Sequence, residues 1–247
     1  MSENPLLPDS KLRELHALML HCRMLERARK QRGPLREALL AATAIHLQSG
    51  DLVSAAPEDR TLSNLTAESK SHTGTGQAYA SLVTPTLAAA ASARLLLSAA
   101  AARGIQTAGS PGIVVSLCRA GAFDPEWKQA LEWACSAKLP LLTTCIDATG
   151  GAPFRRSPQK QSPLTYTSMI TMARRWRLPV LTVDGEDAVA MYRVMQECVH
   201  RARMGDGPAV IWAVLTPPAA LSPMPISAQP LARLRRYMAA RKIARKA

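Results

Sequence analysis

Aromatic residues are scarce in this sequence: Phe, Trp and Tyr together make up 4% of its 247 residues. A hydrophobic core must therefore be built mainly from aliphatic side chains and Met, within a hydrophobic content of 47%. Proteins that bind single-stranded nucleic acid commonly stack the bases on aromatic side chains. With so few aromatic residues, we do not expect nucleic acid to be a partner.

Cysteines are also few and lie far apart. The sequence has five of them, Cys22, Cys118, Cys135, Cys145 and Cys198, and none forms a CxxC pair. An odd number of scattered cysteines is typical neither of a disulfide framework nor of a zinc site. A reducing compartment fits best, and we expect a cytoplasmic protein.

No segment of the sequence predicts a membrane anchor. The first residues include Glu3 and Asp9 and lack a basic region followed by an apolar stretch, so we expect no signal peptide and a mature chain that begins near residue 1. The most apolar run, residues 86–103, consists mainly of Ala and Leu but contains Arg94. It predicts a buried helix rather than a membrane span, and we expect no membrane contact.

Acidic residues are outnumbered, with 18 Asp and Glu against 31 Lys and Arg, which gives a formal net charge of +13. Seven of the basic residues lie after Leu231, where the sequence has no acidic residue. Clustered charge without a recognition motif is a weak sign of nucleic-acid binding. A solvated helix face, or contact with an acidic partner subunit, is the better interpretation of this segment.

Four nearly continuous apolar runs have the length expected of strands that are buried on both faces. They span residues 112–118, 140–146, 179–183 and 209–215. Segments with helical spacing, at 124–137, 166–177 and 188–203, separate them. This alternation predicts an α/β fold with a parallel sheet of at least four strands, flanked by helices on both faces.

The remaining elements are less regular. Helical spacing predicts helices at 11–31 and 37–47, and an Ala- and Leu-rich helix that begins near Pro85 and ends at Gly104. The polar segment 51–79 is predicted to be a loop with short pieces of structure. Five prolines lie within 217–230, ahead of a basic helix at 231–246. We therefore divide the chain into a single α/β domain, residues 1–216, and a Pro-rich connector with a basic C-terminal helix, residues 217–247.

Three short segments occur in a familiar order and spacing. They are Lys138-Leu139-Pro140, the turn Val183-Asp184-Gly185-x-Asp187, and the helix end Arg201-Ala202-Arg203-x-Gly205-x-Gly207-Pro208. With them, the sequence resembles the alpha subunit of the thiamine-diphosphate-dependent 2-oxo acid dehydrogenases, a family that includes the pyruvate, branched-chain and acetoin dehydrogenases. The resemblance covers most of the chain and implies a thiamine-diphosphate-binding-like fold.

The resemblance also implies where a cofactor would bind. In the family, Mg²⁺ joins the diphosphate of thiamine diphosphate to the Asp of a Gly-Asp-Gly turn and to an Asn after the next strand. The Gly-Asp-Gly turn aligns here with Cys118, Arg119 and Ala120, and the metal-binding Asn aligns with Ala148. The resemblance therefore implies cofactor-site positions at Arg119, Ala120 and Gly121 after one strand, and at Asp147 and Ala148 after the next. Arg119 and Ala148 replace the two metal ligands, so we expect no Mg²⁺ site of the family's kind and doubt that thiamine diphosphate binds.

Other parts of the family's site are replaced as well. The Tyr-Arg pair that grips the diphosphate aligns with Pro57 and Glu58. A longer segment with a Gly-rich loop and several histidines is shortened here to residues 60–83, where His72 and Gly74-x-Gly76 remain. We interpret His72 as a surface residue.

Some residues near these positions allow two interpretations. Arg119 could supply positive charge to a phosphate, with Arg155 and Arg156 as a basic lip, although a solvated Arg in a decayed site is favoured. Cys118 could be a reactive thiol at a helix N-terminus, although a small buried residue is favoured. Asp184 and Asp187 are predicted to be turn and helix-cap residues.

The resemblance leads to three functional hypotheses. The first is a catalytically degenerate alpha subunit, or pseudoenzyme, that keeps the fold and pairs with a beta-type dehydrogenase subunit or with itself. The family forms α2β2 heterotetramers with the cofactor between the chains, so an alpha-type chain alone would be an incomplete catalyst. The second is an active thiamine-diphosphate-dependent subunit with a relocated anion site, and the third is a basic nucleic-acid-binding protein. Under the first hypothesis no catalytic residue and no metal ligand is assigned.

Overall fold

A computed structural model describes most of the chain. The described residues are 7–28, 35–55, 61–62, 80–81, 94–121, 126–149, 164–217 and 229–243. The helices are α1 (Asp9–Ala28), α2 (Glu37–Ala44), α3 (Arg94–Thr107), α4 (Trp127–Ser136), α5 (Tyr166–Trp176), α6 (Ala188–Arg203) and α7 (Pro230–Ala240). The strands are β1 (Leu52–Ser54), β2 (Ala80–Ser81), β3 (Val114–Arg119), β4 (Leu141–Asp147), β5 (Val180–Asp184) and β6 (Ala209–Val214).

The strands form one sheet in the order β2-β1-β3-β4-β6-β5, and every pairing is parallel. The four predicted strands are therefore confirmed, and two short strands extend the sheet beyond β3. Because all strands run the same way, their carboxyl ends lie along a single edge. This edge is where open parallel sheets of α/β proteins bind ligands.

Helices cover both faces of the sheet, as predicted. Val115 and Leu117 of β3 belong to the cluster that packs against α1, α2, α6 and α7. Val114 and Cys118 of the same strand pack against α3, α4 and α5. Successive side chains of a strand point to opposite faces, so an apolar run without alternation is what a strand covered on both sides requires.

Two helices begin at side-chain caps. The hydroxyl of Thr165 accepts a hydrogen bond from the N–H of Ser168 at 3.1 Å, and the Ser168 hydroxyl accepts one from the N–H of Thr165 at 3.0 Å, so that α5 starts with a capping box. Asp187 caps α6 by accepting from the N–H groups of Val189 and Ala190, both at 3.0 Å. The capping role predicted for Asp187 is confirmed.

A buried ion pair joins the end of α6 to the start of β1. The Asp51 carboxylate, which has no solvent exposure, contacts Arg203 through two oxygens at 2.6 and 3.0 Å. The same carboxylate accepts the N–H groups of Gln48 at 2.7 Å and Ile113 at 2.9 Å. Through this ion pair the side chain of Arg203, the last residue of α6, is only 17% exposed.

Two sequence-based boundaries are wrong, those at the ends of α3 and of the C-terminal helix. Gly104 does not end α3, because the helix continues to Thr107, and a Cβ at Gly104 would meet nothing within 4 Å. The segment 51–79, predicted as a loop with short pieces of structure, contains the short strand β1, which is paired with β3. The C-terminal helix ends at Ala240, where Lys242 turns the chain with a φ of 58°.

The basic C-terminal helix packs against the domain through Leu231, Leu234 and Met238, each 2–3% exposed. Its arginines make contacts within the chain. Arg233 lies 2.8 Å from Asp184 and 3.4 Å from Asp187, Arg241 lies 3.0 Å from Asp9, and Arg235 donates to His16 at 3.2 Å. Three of the seven basic residues of this segment therefore make these contacts within the chain, while Arg236 and Lys242 are exposed.

Within the described part of the chain, each helix is too short or too polar to cross a lipid bilayer.

Candidate cofactor site at the carboxyl edge of the sheet

The structure brings the two halves of the predicted site together. Arg119 is paired with Ile146 in the register of β3 and β4, and the N–H of Ala120 donates to the carbonyl of Ile146 at 2.9 Å. Arg119, Ala120 and Gly121 therefore lie beside Asp147 and Ala148 at the carboxyl edge. Neighbouring strands of a sheet place their ends about 5 Å apart.

The backbone N–H groups of the turn after β3 are already used within the fold. Ala120 donates to Ile146, and Gly121 donates to the carbonyl of Leu164 at 2.8 Å. Gly121 has a φ of 79°, a left-handed conformation that favours glycine. Converging free N–H groups would be needed to hold a phosphate at this turn, and these two are committed elsewhere.

The carboxylate of Asp147 is also committed. One oxygen accepts the indole N–H of Trp212 at 2.9 Å. The other accepts the hydroxyl of Thr149 at 2.6 Å and its N–H at 3.1 Å. Asp147 therefore fixes the turn after β4 and provides a partner for a buried indole.

Trp212 is a residue of this edge that the sequence analysis missed. It lies on β6 opposite Cys145, two positions before the partner of Asp147, so it shares a face of the sheet with Asp147. Its ring contacts Tyr166 edge-on, with 5.4 Å between centroids, and the Tyr166 hydroxyl is 3.1 Å from that of Thr182. A buried indole requires an acceptor, and this requirement was the signal available in the sequence.

Arg119 and Ala148 contribute no metal ligand. Arg119 is exposed at the end of β3, and its guanidinium is a donor that cannot coordinate a cation. Ala148 is half-buried and packs against the α1, α2, α6 and α7 layer. The remaining carboxylate of this edge segment, Asp147, is the one already held by Trp212 and Thr149.

A second feature of the carboxyl edge lies beyond β5 and β6. An open cleft of about 810 Å³ is lined by apolar residues including Val214 and Leu215, and by Asp184, Glu186 and Arg233. The buried Glu186 accepts the N–H of Thr216 at 2.8 Å. Asp184 accepts the N–H of Glu186 at 2.9 Å and also pairs with Arg233, so its predicted turn role is confirmed.

Comparison with known proteins agrees with the resemblance. Residues 127–215, from α4 to just after β6, match the family described as the dehydrogenase E1 component. A pyruvate dehydrogenase E1 component subunit alpha from Acholeplasma laidlawii is 30% identical over 98 residues, which are 38% of this chain and 26% of that protein. The chain is similar to a 2-oxo acid dehydrogenase alpha subunit. The aligned part is about a quarter of the relative's length.

This alpha-subunit-like chain is also similar to two solved structures. A protein described as a thiamin diphosphate-dependent enzyme from Mycobacterium smegmatis is 16% identical, with a TM-score of 0.48. Benzoylformate decarboxylase from Polynucleobacter necessarius is 14% identical, with a TM-score of 0.49. Each comparison covers 72% of this chain and 32% of the other.

The E1-matched segment contains Asp147 and Ala148 but begins after Arg119, Ala120 and Gly121. Mg²⁺ bound to a diphosphate prefers oxygen ligands from the protein. In the part of the chain that the structure describes, no group of three or more His, Cys, Asp or Glu side chains could hold a metal ion. The residues at the aligned positions therefore do not fit the Mg²⁺ and thiamine diphosphate of the family.

Several predicted residues lie outside the described ranges. They are Pro57, Glu58, His72, Gly74, Gly76, Arg155 and Arg156. Cys118, by contrast, is described: it is half-buried at the end of β3 and packs beside Cys145.

Proposed function

We propose that this chain is a non-catalytic alpha-type component that binds neither Mg²⁺ nor thiamine diphosphate in the family's manner and acts through association with a beta-type subunit. The proposal starts from the E1 match over residues 127–215. One observation favours a non-catalytic component over an active subunit. Asp147, the remaining carboxylate beside the aligned metal positions, already accepts hydrogen bonds from Trp212 and Thr149.

The chemistry of the edge supports the same proposal. A diphosphate needs cationic or N–H donors that face it, and a bridging cation needs free oxygens on the protein side. The N–H groups of Ala120 and Gly121 donate to backbone carbonyls. In the family's turn, a carboxylate stands at the position of Arg119. The positive charge of Arg119 would repel a divalent cation there.

Calorimetry with thiamine diphosphate and Mg²⁺ tests the loss of cofactor binding. The chain is titrated alone and together with a beta-type subunit purified from the same cells, and we expect no saturable heat from the alpha-type chain. A matched variant, Arg119→Ala, is titrated beside it. Saturable binding by the parent chain that Arg119→Ala abolishes would overturn the proposal in favour of an active subunit with a relocated anion site.

Association is tested separately. The tagged full-length chain is recovered from its native cells, and co-purifying proteins are identified by mass spectrometry with their stoichiometry. A stoichiometric beta-type dehydrogenase subunit without bound thiamine diphosphate is the expected result. Recovery of the chain only as copies of itself would refute the beta-type partner while leaving the cofactor result intact.

A further inference from the structure

Cys118 and Cys145 lie side by side on the two central strands that carry the candidate site. They are paired in the register of β3 and β4, and both belong to the face covered by α3, α4 and α5. Opposed residues on neighbouring strands have Cα atoms about 4.8 Å apart, which lies within the range of disulfide-linked residues, about 4.4–6.8 Å.

The two thiols differ in their access to solvent. Cys118 is half-buried and is followed directly by the exposed Arg119. Cys145 has no solvent exposure. Burial, the neighbouring thiol of Cys118 and the nearby negative charge of Asp147 raise the pKa of Cys145 well above its ordinary value. An oxidant from solution therefore reaches Cys118 first, with Cys145 in place behind it.

We propose that Cys118 and Cys145 form a reversible modification site, in which the two thiols are oxidised to a disulfide by a low-molecular-weight disulfide such as oxidised glutathione. In the first step the Cys118 sulfur attacks the glutathione disulfide and releases one glutathione, which takes the Cys118 proton. In the second step the Cys145 sulfur attacks the Cys118 sulfur and displaces the second glutathione, which takes the Cys145 proton. Two protein thiols are oxidised and one glutathione disulfide is reduced.

The position of the pair makes the disulfide reversible. Opposed Cβ atoms on parallel strands are separated by about the strand spacing, ~4.8 Å, whereas a relaxed disulfide holds them at about 3.8 Å. The bond must therefore draw the ends of β3 and β4 together, and strained disulfides are more readily reduced. The strand ends that move are those bearing Arg119 and Asp147, so the redox state alters the shape of the carboxyl edge.

Thiol counting by mass spectrometry tests the proposal. The full chain is incubated with oxidised glutathione and quenched with acid. It is then alkylated with N-ethylmaleimide in denaturant, and the intact mass and non-reduced peptides are recorded. We expect the parent protein to lose two of its five alkylatable thiols and to yield a peptide linking Cys118 to Cys145. Dithiothreitol should restore all five.

Three variants separate the steps. Cys145→Ala should stop at a stable glutathione adduct on Cys118, and Cys118→Ala should leave Cys145 alkylatable. The matched control is Cys135→Ala, which removes the other half-buried cysteine. On oxidation this variant should still lose the two alkylatable thiols of Cys118 and Cys145. Far-ultraviolet circular dichroism checks that each variant is folded.

Several outcomes would overturn the proposal. One is a parent protein that keeps glutathione on Cys118 without forming the linked peptide, and another is a protein whose five thiols all remain alkylatable. A linkage of Cys118 to Cys135 would also contradict it. The result does not depend on whether a cofactor or a beta-type subunit binds.

Discussion

The carboxylate of Asp147 accepts hydrogen bonds from the Trp212 indole and from the hydroxyl and N–H of Thr149. Since Trp212 is 1% exposed, removal of the carboxylate leaves a buried donor without its partner. We expect Asp147→Ala to lower the free energy of unfolding by about 1–3 kcal/mol. Asp147→Asn, which keeps an acceptor oxygen, should cost less. Urea-induced unfolding measures both.

The same experiment has an internal test of the pairing. When Trp212→Phe is added to Asp147→Ala, the second substitution should cost less than it does in the parent protein, because the hydrogen bond is already lost. Strictly additive costs would show that Asp147 and Trp212 are not coupled, whatever the size of the single effects.

His46 gives the fold a dependence on pH. Burial lowers its pKa from 6.5 to about 4, opposed by a hydrogen bond to the carbonyl of Tyr192 at 3.1 Å. The unfolded chain therefore takes up a proton before the folded one does. The contribution of neutral, buried His46 to the free energy of unfolding is therefore present in full above about pH 6.5. It is lost as the pH falls toward 4, which lowers the free energy of unfolding by about 3 kcal/mol.

A substitution isolates this dependence. His46→Gln keeps a side-chain donor for Tyr192 but cannot titrate, so the decline in unfolding free energy between pH 6.5 and 4 should become shallower. His200→Gln, on the exposed side of α6, serves as the control. Equal slopes in the parent protein and His46→Gln would refute the assignment. The readout is urea unfolding at a series of pH values.

Among the elements, the long apolar strands were predictable because a strand buried on both faces leaves a continuous apolar run. The bounds of the three-residue β1 were not predictable, since its pairing with β3 joins Leu52 to Val114, 62 residues away. The edge was predictable for a related reason: strands that are parallel must end on the same side. The need of a buried Trp212 for an acceptor was predictable, but the identity of that acceptor was not, because 65 residues separate Asp147 from Trp212.

The ion pair between Arg203 and Asp51 joins the end of α6 to the start of β1. Arg203→Met leaves the fully buried Asp51 carboxylate without its counter-charge, and breaking a buried pair in this way costs about 3–5 kcal/mol. Arg201→Met, two residues earlier on the helix, should change stability by less than about 0.5 kcal/mol. Thermal unfolding followed by circular dichroism compares the two, and comparable losses would contradict a specific role for the ion pair.

The C-terminal helix α7 unfolds either together with the sheet or separately from it, depending on what fixes the helix to the domain. The helix contributes Leu234, 2% exposed, to the same core cluster as α1, α2 and α6. Its ion pair between Arg233 and Asp184 is much more exposed, at 32% and 50%, and exposed pairs contribute at most about 1 kcal/mol. Apolar packing rather than charge therefore fixes α7 to the domain.

We expect Leu234→Ala to lower the free energy of unfolding by about 2–5 kcal/mol. Unfolding should remain one cooperative transition, and the slope of the unfolding free energy against urea concentration should be unchanged. Arg233→Met should stay within about 1 kcal/mol of the parent protein. Tryptophan fluorescence follows the unfolding of the sheet, because Trp127 and Trp212 belong to the core cluster on the face covered by α3, α4 and α5. Leu234 of α7 belongs to the cluster on the other face. If α7 were a separate unit, Leu234→Ala would leave that fluorescence transition where it is in the parent protein. A shift of the transition to lower urea shows instead that loosening α7 destabilises the sheet itself, because the two share one core and unfold together.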